Sequence, residues 1–184
     1  MSWIEEVKEK QRRKNQILFD KKSSLLQELI QELSKQPRRV VVLWAFSFVE
    51  ESVQILLEKY PDDTRILECL EYAKLWSMGE VKMPEAKAKI LACHSVAKEI
   101  DDEVDQALIH AIGQGCSTVH TAGHGIGYPI YELNALVKKY GINHCEEMVE
   151  RRVQEYFDRL TYYHKEEPFM QRQWARFLER GCNE

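Results

Sequence analysis

The chain has no CxxC pair: its five cysteines, Cys69, Cys93, Cys116, Cys145 and Cys182, are scattered and odd in number. That argues against both a zinc ribbon and a disulfide framework. Cys69, Cys93 and Cys116 sit among apolar neighbours, where a free cysteine serves as a small core hydrophobe. No uninterrupted apolar run approaches the about 20 residues that span a bilayer, so no membrane partner is expected. The first residues, MSWIEEVKEKQRRKNQ, are highly charged and lack the apolar centre of a signal peptide, which predicts a cytoplasmic address. Glycine and proline are sparse, eight and five residues, and fall mostly between periodic segments, where they act as punctuation. There is no repeat of fixed period and no low-complexity segment.

What is present suits a single domain with room for a substantial core: 184 residues, 44% of them hydrophobic and 30% charged. Charge is unevenly placed. Residues 1–39 carry ten Lys/Arg against six Asp/Glu, residues 40–141 nine against fifteen, and residues 142–184 seven against nine. An acidic middle argues against a nucleic-acid surface over the main body and suits a basic protein partner.

Nearly every segment reads at a helical period. A first helix is expected from about Trp3 to Ser34, its stripe carried by Leu18, Leu25, Leu29 and Leu33 and ended by Pro37. The next run, 38–60, contains β-branched Val40–Val42, but Trp44, Phe48, Glu51 and Ile55 keep a helical period too long for a strand. Pro61-Asp62-Asp63 restarts the chain, its aspartates capping a helix over Thr64–Met78 that Gly79 terminates, Pro84 opens another through residue 100, and Asp101-Asp102 cap the next, which carries residues 105–122. A glycine step from Gly123 to Pro129 precedes a helix that Gly141 closes, and two more, Cys145–Tyr163 and Pro168–Arg180, finish the chain. The expectation is an all-α, single-domain multi-helix bundle of mostly antiparallel helices, divided into an N-terminal helix (1–36), a core (38–140) and a C-terminal pair (142–184).

One stretch concentrates chemistry. Residues 117–132 read STVHTAGHGIGYPIYE and place His120 and His124 four apart, on one face if the segment is helical. His94 lies one helix earlier and can converge with them. Three histidines on two helices form a plausible ligand set for a divalent metal such as zinc. No HEXXH carboxylate and no His-Asp pair accompanies them. The alternative is a hydrogen-bonded core cluster in which Ser117, Thr118 and Thr121 supply partners and the glycines allow close packing. His110 falls near the opposite helix face and should point elsewhere. A Cys116–His120 nucleophile pair lacks an orienting acid, and Gly123–Gly127 lacks the lysine and preceding strand of a phosphate-binding loop. Trp44, Trp76 and Trp174 lie on apolar stripes as core or interface anchors. Glu50 and Glu51 belong either to an exposed face or to a carboxylate set turned toward the histidines.

The order of motifs resembles a known family. Trp44-Ala45 with Glu50 and Glu51, Tyr60-Pro61-Asp62-Asp63 with Arg65, and Gly79-Glu80 come first. The run 92–98 through His94, then Gly113, Thr118-Val119-His120 and His124-Gly125-Ile126-Gly127 complete the set. Over about residues 38–140 this is similar to the class-five immunity-like proteins of bacterial polymorphic toxin systems. The resemblance implies a helical protein that neutralises a cognate toxin by binding it, with His94, His120 and His124 at family positions. The family pattern has histidine where this chain has Gln114, so that member of the polar cluster cannot titrate and is a poor zinc ligand. The expected function is therefore immunity-type binding without catalysis, through an acidic face at Glu68, Glu71, Asp101 and Asp102 toward a basic toxin. The alternative is a metal-binding protein or metal-dependent hydrolase built on His94, His120 and His124. A homodimer through the long first helix is a further expectation.

Overall fold

In the computed structural model, which describes residues 2–179, every regular element is helical: α1 (Trp3–Arg12), α2 (Gln27–Ser34), α3 (Arg38–Lys59), α4 (Thr64–Met78), α5 (Met83–Val96), α6 (Glu103–Cys116), α7 (Gly127–Tyr140), α8 (Glu146–Glu166) and α9 (Arg176–Glu179). The stop and start signals act as read. Asp63 accepts from the Arg65 amide and Asp102 from the amides of Val104 and Asp105. Gly79 ends α4 in the left-handed region at φ 80°, where a Cβ would be strained.

α3 is the centre. By length and composition it could cross a bilayer, with a mean hydropathy of 1.7, yet 67% of that window is buried inside the molecule. Val40–Val42, Trp44, Phe48, Val49 and Leu56 are all fully or almost fully enclosed. Helices α4, α6 and α8 pack around it, α5 lies on α4, and α7 lies along α6.

Two helices differ from expectation, both because the chain found better partners than its own backbone. The first is broken. Lys14 takes a positive φ of 58° after α1, and residues 15–20 run without helix before a 3-10 turn at Ser24–Leu26. There the Leu18 amide donates to Asn134 Oδ1 at 3.1 Å and Asn134 Nδ2 donates to the Gln16 carbonyl at 3.2 Å. Leu18, Leu29 and Leu33 of the expected stripe are buried in the chain's own core, and Leu25 is half-buried against it. The last predicted helix is mostly unwound. Ala175 N donates to the Ser77 carbonyl and Gln173 Nε2 to that of Met78, both at 2.8 Å, which ties residues 170–175 to the end of α4. Cys182 and Arg180 lie outside the described residues.

Candidate functional site

The glycine step does break the helix, so His120 and His124 do not share a helical face. α6 stops at Cys116, and residues 117–124 make two 3-10 turns before α7 starts at Gly127. These turns still bring both imidazoles to one cleft of about 330 Å³, against Trp76 of α4 and Met83, Leu91 and His94 of α5. His120 stacks on the buried Trp76, ring centroids 6.2 Å apart. The rim is apolar and open: Leu91 is 57% exposed and Met83 42%.

His94 reaches this cleft because α6 carries Gly113 opposite it. A Cβ at Gly113 would lie 2.3 Å from His94 Nε2, so any side chain there would displace the ring. The other face of the ring system meets His110, with the two Nδ1 atoms 2.9 Å apart, so one carries the proton and donates to the other. His110 was expected to face elsewhere. It does line a second cleft, with Tyr131 and Asn134, but its ring closes on His94. Gln114 packs on the backbone of Gly127. Burial pushes the His94 pKa down to about 4, with His110 adding to the shift. Burial likewise lowers His110 and His124. Burial thus favours the neutral form of these three rings, and the cleft is a mainly apolar groove with aromatic and imidazole walls and Lys87 in its lining.

Among the described residues, no three His, Cys, Asp or Glu side chains are gathered so as to hold a metal ion. His94, His120 and His124 thus share a cleft without forming a ligand shell, and the metal-site and hydrolase alternatives gain no support. Cys116 is not paired with His120. It is fully buried beside Cys69, whose thiol pKa is raised by the contact with Cys116 and by burial, against an opposing contribution from Cys93. All three thiols belong to the core, as their apolar neighbours imply.

The predicted acidic face is only partly free. Glu68 is paired with Lys89 at 2.8 Å, and Asp102 is engaged in capping α6. Glu71 and Asp101 are exposed. Glu50 is exposed and paired with Lys74 at 2.6 Å, and Glu51 turns not toward the histidines but toward Arg152 and Arg159 of α8.

Those arginines open a cluster that sequence reasoning missed. Glu132, 6% exposed, takes two N–H bonds from Arg152, at 2.6 and 3.0 Å, and the hydroxyl of Tyr156. The Tyr128 hydroxyl lies 2.9 Å from Glu132 and 2.8 Å from that of Ser52. Burial opposes the Arg152 charge, but Glu132 outweighs it and holds the guanidinium pKa above its ordinary value. The same two arginines hold the half-buried Glu51 below the usual carboxylate range against its own desolvation. The only sequence signal was a single acid, Glu132, in the apolar first half of α7.

The profile of the Imm-5 like putative immunity protein family matches residues 31–159, more than two thirds of the chain. The chain belongs to this family. The match is wider than the 38–140 that motif order suggested: it begins in α2 and takes in α8 as far as Arg159, so the Glu132–Arg152 cluster falls within it. No curated protein and no solved structure matches the chain.

Proposed function

We propose that this immunity-family chain neutralises a cognate bacterial toxin by direct contact, with the histidine-lined cleft as the centre of the contact surface. Membership of the family over residues 31–159 carries this reading. The cleft supports it physically. A groove walled by Trp76, His120 and Leu91 suits an apolar or aromatic anchor of a partner, and aromatic walls supply much of the energy of such contacts. Glu71 and Asp101 would steer a basic toxin toward the molecule and add more to the rate of encounter than to affinity.

Calorimetric titration of the toxin with the full chain tests this. The expected result is a one-to-one complex that abolishes toxicity only at stoichiometric amounts. Leu91→Asp should weaken it at least tenfold without unfolding the chain, and Glu71→Lys with Asp101→Lys should slow association. Neutralisation at a small fraction of the toxin concentration would mean turnover and would overturn the binding reading. Unchanged affinity in Leu91→Asp would remove the cleft from the interface.

A further inference from the structure

Among the described residues, one buried side-chain nitrogen lacks a hydrogen-bond partner: Nε of Arg172. Its surroundings parallel those of Arg152 closely. Both guanidiniums lie on aromatic rings of α3, Arg152 at 4.7 Å from the Phe48 centroid and Arg172 at 5.9 Å from Phe46, and each has a second ring, Tyr156 or Trp174, at 5.8 and 4.8 Å. Arg152 is met by Glu51, Glu132 and Glu155. Arg172 forms no ion pair with any described residue, and its side-chain partner is the Ser77 hydroxyl, 2.7 Å from Nη2. Guanidinium cannot discharge itself by losing its proton near neutrality, so a half-buried positive charge with an unmet donor persists.

This group lines a cleft of about 390 Å³ between α3, the end of α4 and the segment after α8, walled by Phe46, Glu50, Lys74, Tyr163 and Met170. We infer that the cleft is a binding site for a small oxyanion, a phosphate or carboxylate group, held by the Arg172 guanidinium with Lys74 beside it. The planar fork of arginine matches either oxyanion through paired N–H bonds, and stacking on Trp174 fixes its plane. The volume accommodates several waters' worth of ligand, enough for the anion and a short organic tail. Glu50 is the one acid in the wall. It holds Lys74 at 2.6 Å and repels an arriving anion, which makes it the natural brake on affinity. Burial lowers the Arg172 pKa, as expected for a cation short of compensation.

The test uses the full chain with inorganic phosphate and, separately, with succinate, each against sodium chloride of equal ionic strength, read by thermal melting and calorimetry. Because no toxin is present, it succeeds or fails independently of the immunity reading. Wild type should show a saturable rise in Tm of about 2–4 °C with at least one oxyanion, and Arg172→Gln should lose it. A response to phosphate alone, to succinate alone or to both would support the site and say which oxyanion it takes. Glu50→Gln should tighten binding about two- to fivefold, the scale of one exposed charge contact, and does not depend on how well Arg172→Gln folds. Equal rises in wild type and Arg172→Gln, no rise with either oxyanion, or weaker binding in Glu50→Gln would overturn it.

Discussion

The molecule encloses ionisable groups in two places and by two means. Beside α8, buried Glu132 and half-buried Arg152 are held as charges: Glu132 takes N–H bonds from Arg152 and the hydroxyl of Tyr156, while Arg152 also meets Glu51 and Glu155. Between α5 and α6, His94 and His110 are buried by giving up charge, one imidazole donating to the other. The contrast follows from what each group can do. Arginine cannot discharge itself near neutrality and must find carboxylates, whereas histidine can shed its proton at little cost. A paired cluster should therefore be sensitive to truncation and a neutralised one to pH.

The largest expected effect breaks the paired cluster. Glu132→Ala removes the one buried carboxylate on Arg152, leaving it only the more exposed Glu51 and Glu155, and should lower unfolding free energy by about 3–5 kcal/mol in a urea titration. Enlarging the glycine that faces the histidines tests packing rather than charge. Gly113→Ala drives a methyl into the His94 ring and should cost about 1–3 kcal/mol. Much of that cost should vanish when His94→Ala is added, so the double mutant falls short of additivity.

The pH experiment separates the two sites directly. The folded pKa of His94, about 4, lies below the 6.5 of the free side chain, so the unfolded chain takes up the proton first. The stability linked to neutral His94 is complete above pH 6.5 and declines as pH falls toward 4. His110 and His124 act in the same sense. Allowing for the partial exposure of the ring, the loss is about 1–2 kcal/mol. Melting curves between pH 6.5 and 4.5 should flatten in His94→Gln and keep their slope in a variant of the arginine cluster. The smallest effect is expected at Arg172→Met, within about 1 kcal/mol of wild type or slightly stabilising, because no carboxylate is orphaned. A loss of 3 kcal/mol there would erase the distinction between Arg172 and Arg152.

These sites were unequally legible. The histidines stood out because imidazoles are rare and two of them, His120 and His124, fell near glycines, and with His94 they do meet in one cleft. The helical periodicity used to align His120 with His124 was wrong, since 3-10 turns rather than a helix carry them there. The arginine cluster left almost no trace, because its members are spread from position 51 to 159 and each resembles an ordinary surface charge on an amphipathic helix. Only the fold brings Glu51, Glu132 and Arg152 within hydrogen-bond reach. Asn134 is a similar case. Nothing local marks it as the residue that holds residues 16–18 in place and so divides the expected first helix.

Sequence alone determined the class of the fold, the starts of the middle helices, the end of α4 and the burial of α3. Those follow from local physics: apolar period, aspartate caps, and a glycine at positive φ. Tertiary structure decided which ionisable groups keep their charge, where the two ends of the chain leave the helix, and which clefts remain open. Each of those outcomes depends on partners distant in sequence, because a backbone amide or a buried charge takes the best available satisfaction wherever the fold supplies it.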